Sequence, residues 1–188
     1  MNRIIALLSF FYLFSAIGCK DDDSKEDMNV IPGWGSSSAS INNEQWDGIP
    51  QLNSYVTHPD LYSFSVRKYS GEGFLRSELD INAVKYDQLI SDKKIKLQKI
   101  NYQIFLDTIS VGFYTFRSDG DVVTGVYTVI ENDTIEDYVQ FFDFDNITKE
   151  VSGIFQASFV VAEGFNSSQS GYGDTIIIKD GVFHTKIQ

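Results

Sequence analysis

A single cysteine, Cys19, stands in a chain of 188 residues, so no internal disulfide can form and stability must come from the core and its hydrogen bonds. Histidine is nearly as scarce, with only His58 and His184, which removes most of the commonest general acid–base chemistry. Basic side chains number 15 against 26 acidic ones, giving a net charge of −11 and a pI near 4.5. The lysines and arginines are scattered, so no cationic footprint for DNA or RNA exists. No stretch carries a helical repeat of useful length. No apolar run reaches the ~20 residues that a membrane-crossing helix needs. What the chain does have is 43% hydrophobic and 14% aromatic content, ample for one packed domain.

The cysteine lies in "SAIGCKDDDSKED", between an oily segment and a run of acids. Met1, Asn2 and Arg3 make a positive head, residues 4–17 are almost wholly apolar, and Gly18 places a small residue before Cys19. That is the outline of a secretory signal over residues 1–18. Ala16, Ile17, Gly18 and Cys19 resemble the lipobox of bacterial lipoproteins, with Ala16 where leucine is usual. The resemblance implies cleavage before Cys19 and its lipidation. Lys20, Asp21, Asp22 and Asp23 resemble the surface-export signal of Bacteroidota lipoproteins. More than one acyl chain gives stable anchoring, each buried CH₂ contributing about 0.8 kcal/mol. Residues 19–36 then read as a disordered acidic tether, punctuated by Pro32, Gly33 and Gly35, with a reach of roughly 20–25 Å as a flexible coil. Trp34 interrupts it and is expected to dock on the domain rather than to sit at the membrane interface.

Residues 37–188 read as one all-β domain. In "SASINNEQW" two short strands flank a tight turn at Asn42 and Asn43. "LYSFSV", "ELDINAV", "KIKLQKI", "NYQIFL", "GFYTF" and "TGVYTVI" each alternate with period two. A long hairpin is expected from "YVQFFDFD" (138–145) and "EVSGIFQASFVV" (150–161), in which Val151, Gly153, Phe155, Ala157, Phe159 and Val161 share one face. "DTIIIKDGVF" (174–183) supplies the last strand. The expectation is an antiparallel β-sandwich or flattened β-barrel of about eight to ten strands. Trp46, Tyr62, Phe141, Phe155 and Phe159 are the expected aromatic core.

Taken together, "SINNEQW", "GFYTF", "VSGIFQASF" and "GDTIIIKDGVF" are similar to a family of small Bacteroidota lipoproteins of unknown function. Asn43 stands where those proteins commonly have glycine, and the loop 163–173 is longer. The resemblance implies a signal, a lipid anchor and a β domain. It implies no catalytic residues.

Candidate chemistry is sparse. His58 precedes Pro59 in an expected loop and His184 ends the last strand, both as surface residues, and no serine sits in a G-x-S-x-G elbow. Asp143 and Asp145, at alternate strand positions, are the carboxylate pair best placed to share a hydrolytic site, set against solvation of Asp143 and a turn opened by Asp145. Asp119 with Asp121, and Asp143, Asp145 with Asn146, offer oxygen ligands but lack the spacing of a calcium loop. No metal or other cofactor is expected. Asp107-Thr108-Ile109, Asp133-Thr134-Ile135 and Asp174-Thr175-Ile176 resemble the O-glycosylation signal of Bacteroidota, making Thr108, Thr134 and Thr175 candidates; the alternative is a turn aspartate that starts a strand. Tyr69, Phe165 and Tyr172 lie beside glycines or loops and are the aromatics available for a binding edge.

The expectation is therefore a lipid-anchored, non-enzymatic outer-membrane protein, displayed at the cell surface, that binds a glycan, peptide or protein ligand. The alternatives are a periplasm-facing accessory, structural or inhibitor protein, a carboxylate-dependent hydrolase, and an apolar-ligand carrier with an empty barrel.

Overall fold

The computed structural model describes residues 34–100, 108–117, 120–131 and 133–188. Cys19, the four residues of the export-signal motif and the expected strand 101–106 lie outside them. The strands are β1 (Ser36–Ile41), β2 (Glu44–Tyr55), β3 (His58–Tyr69), β4 (Leu75–Lys85), β5 (Lys94–Lys96), β6 (Gln98–Lys99), β7 (Ser110–Phe116), β8 (Val123–Val129), β9 (Tyr138–Phe142), β10 (Glu150–Val161) and β11 (Thr175–Lys186). A single helical turn, α1 (Tyr86–Leu89), follows β4, and a 3-10 turn spans Ser167–Gln169.

The architecture is a closed antiparallel barrel. Its order is β11-β1-β2-β3-β4-β7-β8-β10, and β10 pairs back onto β11. β9 and β5 extend from the lower half of β10, while β6 adds a short parallel pairing to β7. Closure removes the free edges of the eight wall strands, which an open sheet of this composition would expose.

The β1–β2 turn forms as its sequence demands. Asn42 and Asn43 adopt φ of 51° and 69°, the left-handed pair required by a tight hairpin, which asparagine tolerates better than most residues. Asn42 also fastens this turn to β11: its Nδ2 donates to the carbonyls of Tyr172 and Thr175, and its Oδ1 accepts from the amide of Ile177.

The glycine–phenylalanine repeats near the C-terminus have a packing explanation. β10 carries Gly153 and Phe155, β11 carries Gly181 and Phe183, and the register places Gly153 opposite Phe183 and Phe155 opposite Gly181. Each ring lies over the glycine of the other strand. A Cβ on Gly153 would sit 2.1 Å from Cζ of Phe183, and one on Gly181 would sit 2.6 Å from the Phe155 ring. Two large side chains thus fit side by side on a wall that has no room for four.

These rings help to fill the barrel. Toward one end, Phe183 lies 4.3 Å from Phe64 and 5.5 Å from Phe141, centroid to centroid. Toward the other, Phe113 contacts Trp46, Tyr127, Phe159 and Tyr172. Trp46, Phe141, Phe155 and Phe159 are fully buried and Tyr62 nearly so, as expected. These aromatics belong to one continuous buried core. The indole nitrogen of Trp46 donates to Ser77 Oγ at 3.0 Å, so this buried polar atom is satisfied inside the barrel.

Trp34 is docked on the domain. Its ring meets His184 edge-on at 5.1 Å, Lys186 Nζ lies 5.0 Å from it, and its carbonyl accepts from Thr185 Oγ1. The chain thus enters the barrel at the end where β1 begins and β11 finishes.

Candidate functional site

The barrel wall has a seam, and the site is built there. β10 pairs with β9 through Gln156 and with β8 from Phe159 onward. Ala157 and Ser158 fall between the two partners. The peptide groups at this break still need hydrogen bonds. The amide of Ser158 donates to Asp137 Oδ1 at 2.7 Å, and its carbonyl accepts from the amide of Ile130. Gln156 Nε2 donates to the carbonyl of Glu136, and the amide of Leu97 donates to the carbonyl of Asp137. Asp137 therefore replaces the missing strand neighbour and ties β10 to the β5–β6 segment.

A second acid converges on the same residue. Ser158 Oγ lies 2.5 Å from Asp133 Oδ2 and 3.1 Å from Asp137 Oδ1. The hydroxyl has one proton for two acceptors, and the shorter contact takes precedence. Burial pushes the Asp137 carboxyl above its ordinary range; the bonds from Ser158 and the ammonium of Lys96 oppose this, and the charge of Asp133 adds to it.

In front of this pair opens a cleft of about 640 Å³. Its polar lining carries both signs of charge, from Lys94 and Lys96 and from Glu131, Asp133, Glu136 and Asp137. Ile130, Ile135 and Tyr138 add partly exposed apolar surface to the lining, while Leu97 and Val129 are buried. Lys94 donates to Glu136 at 2.8 Å and lies 4.0 Å from the centroid of the Tyr138 ring. Both ends of that ion pair are exposed, so it orients the side chains more than it stabilises the fold.

A different polar cluster occupies the outer surface of β2, β3 and β4. Arg67 donates to Glu78 at 2.6 Å and to Gln51 at 2.8 Å. Asp80 accepts from Asn82 and Ser63, and Asn82 accepts from Tyr55. Burial raises the carboxyls of Glu78 and Asp80, against the pull of Arg67 on the first and of Asn82 and Ser63 on the second. This network spends its polar groups on one another.

The residues singled out from sequence sit elsewhere. β9 ends at Phe142, so Asp143 and Asp145 are not alternate positions of a strand. Asp143 has φ of 55°, and Asp145 Oδ1 accepts the amides of Ile147 and Thr148, which holds that carboxyl below its usual range. They build a turn. Asp119 lies outside the described residues, and among those described no group of three or more His, Cys, Asp or Glu side chains is placed to hold a metal. His58 is exposed beside Thr57, and His184 packs on Trp34 with Glu150 at 3.7 Å.

Thr134 and Thr175 are exposed, and Thr108 is half-buried. The aspartates before the first two act as turn residues: Asp133 Oδ1 accepts the amide of Ile135, and Asp174 accepts from Ser167 just before β11 begins. Tyr172 is not an exposed platform. Its ring stands perpendicular to Phe113 and its hydroxyl lies 3.3 Å from Ser77 Oγ, so it plugs the barrel end. Phe165 remains 48% exposed.

Sequence reasoning missed Asp133, Asp137 and Ser158 as a unit. The available signal was "IENDTIEDY" (130–138), four acids between two short strands, too long and too charged for an ordinary hairpin turn. No family model, no curated protein and no solved structure matches this chain.

Proposed function

We propose that the chain is a lipid-anchored binding module, displayed at the outer-membrane surface, that takes a hydroxyl-rich ligand such as a glycan segment in the lateral cleft. The observation that carries the binding reading is the cleft at the β8–β10–β9 seam. Its volume of about 640 Å³ lies in the range of roughly 300–1,000 Å³ typical of ligand sites. Carboxylates, ammonium groups and the partly exposed Ile130, Ile135 and Tyr138 provide acceptors, donors and a surface for the C–H face of a sugar ring. The lipobox-like residues around Cys19 and the acids of Asp21, Asp22 and Asp23 support the anchored, exported reading.

Two experiments test it. Protease shaving of intact cells is expected to digest the parent protein and spare a variant in which Asp21, Asp22 and Asp23 are alanine; protection of both would place the domain on the periplasmic side. On a glycan array the parent domain is expected to bind, and Glu131→Gln with Lys94→Ala to lower that binding about tenfold or more, the scale of two lost polar contacts. Binding that is absent, or indifferent to those changes, overturns the cleft.

The convergence of Asp133 and Asp137 favours one second reading, a carboxylate-dependent glycoside hydrolase. Turnover of an array ligand that disappears in Asp133→Asn would establish it. Binding is preferred because both carboxyls are already engaged with Ser158, which occupies the position between them.

A further inference from the structure

The alternation of β7 and β8 leaves an outer face that the core does not use. Phe113, Thr115, Tyr127 and Val129 are buried, so Tyr114, Val126 and Thr128 point away from the interior. The register sets Tyr114 opposite Val126 and Gly112 opposite Thr128. Glycine at 112 gives the tyrosine its place, because a Cβ there would lie 2.7 Å from Tyr114 Oη.

A second hollow, of about 200 Å³, lies on this face. Tyr114, Val126 and Thr128 line it from the wall, Lys99 from the end of β6, and Glu163 from the segment after β10. That segment is fixed to the wall, since the amide of Ala162 donates to the carbonyl of Val126 at 2.8 Å. Within the hollow Thr128 stands out. Among the described residues only two buried side-chain oxygens have no hydrogen-bond partner, and one of them is Thr128 Oγ1. An unpartnered buried hydroxyl costs stability, and valine would supply a similar branched shape without that cost. The fold gains nothing from the oxygen, whereas a ligand with hydroxyl groups would satisfy it.

Size and position narrow the ligand. Self-sufficient ligand sites run to roughly 300–1,000 Å³, so this hollow suits one ring of a longer molecule rather than a whole one. It also adjoins the seam cleft. Gln98 and Val129 line the cleft, and the next residues of the same two segments, Lys99 and Thr128, line the hollow.

We propose that the hollow is a second subsite for the same glycan, where one further sugar ring packs on Tyr114 and Val126 and hydrogen-bonds Thr128 Oγ1; this rests on the cleft reading above. The ligand class is then a linear oligosaccharide that runs past the cleft, and not a monosaccharide. Lys99 and Glu163, both exposed, offer a donor and an acceptor to the outer hydroxyls of that ring.

The test is isothermal titration of the full chain with β-1,4-glucose, β-1,3-glucose and β-1,4-N-acetylglucosamine oligomers of two and five units. In the series that binds, the longer oligomer is expected to bind about tenfold more tightly, the scale of one added polar contact with its packing. Thr128→Val and Tyr114→Leu are each expected to lower affinity for the five-unit oligomer about five- to tenfold and to leave the two-unit oligomer within about twofold. Thr128→Val is also expected to keep or raise the midpoint of urea unfolding. A lower midpoint would show that the hydroxyl serves the fold and would overturn the subsite. Equal affinity at both lengths, or variants that weaken both lengths alike, would overturn it while leaving the cleft reading intact. Absence of binding in all three series overturns the glycan reading and the subsite together.

Discussion

Replacing Gly153 by alanine adds one methyl group at the most crowded point of the wall. The new Cβ would lie 2.1 Å from Cζ of Phe183 and 2.4 Å from the carbonyl oxygen of Gln140. Neither neighbour can withdraw: the ring is wedged by Phe64 at 4.3 Å, Phe141 at 5.5 Å and Phe155 at 6.3 Å, and the oxygen belongs to β9. Overpacking of this kind costs about 1–3 kcal/mol, and the rigidity of both obstacles puts this case at the upper end. Removing a glycine returns about 0.4–1 kcal/mol through the unfolded chain, leaving a net loss of roughly 2 kcal/mol. Phe183→Ala alone should cost about 3–5 kcal/mol as a cavity. If the ring is the main obstacle, the double variant loses less than the sum by about 1 kcal/mol or more. Urea unfolding of the four proteins measures this, with Gly71→Ala, whose Cβ meets nothing within 4 Å, as a control expected to show only the gain of about 0.4–1 kcal/mol from the lost glycine. A neutral Gly153→Ala, or strict additivity with Phe183→Ala, would refute the reciprocal Gly–Phe packing.

Stability is expected to rise as pH falls from neutral toward the unfolded carboxyl value of about 4, because Glu78, Asp80 and Asp137 are all raised, chiefly by burial. A raised carboxyl favours the folded state below its unfolded pKa of about 4 and loses that contribution as pH rises through the folded value. A thermal midpoint that instead falls steadily on acidification over this range would contradict those environments. Asp137→Ala should destabilise by about 1–3 kcal/mol by orphaning the Ser158 amide, read by urea unfolding, whereas a surface acid such as Glu72 should change little. Ser77→Ala removes the acceptor of the Trp46 indole and should cost about 1–3 kcal/mol, with a shift in tryptophan emission; an unchanged spectrum would show that another acceptor takes over.

Much of the fold was legible because its strands obey period-two patterning and its turns use the residues that their backbones require. Asn42 and Asn43 announced a hairpin, and Val151 to Val161 announced a core-facing strand. The choice between sandwich and barrel was not legible, since closure depends on β1 pairing with β11 across almost the whole described chain, a contact that no local pattern encodes. Tyr172 read as a loop aromatic because sequence cannot show that its loop folds over the barrel mouth onto Phe113. Asp143 and Asp145 read as a strand pair because "YVQFFDFD" keeps alternating past the point where the backbone turns, at Asp143 with its positive φ. The cleft escaped for a related reason. It arises where one long strand changes neighbours, and the residues that repair that break, Asp133, Asp137 and Ser158, are separated by two strand ends and a hairpin.

The cleft is where the functional reading stands or falls, and amide chemical-shift mapping reads it directly. The labelled domain would be titrated with a soluble glycan chosen from array hits or, failing hits, from surface polysaccharide of the source cell. The account expects shifts that saturate together at residues 94–98, 129–131 and 133–138, with little change at the barrel ends. Shifts concentrated on Tyr69, Phe165 and the loop before β11, or none at any ligand concentration, would contradict it.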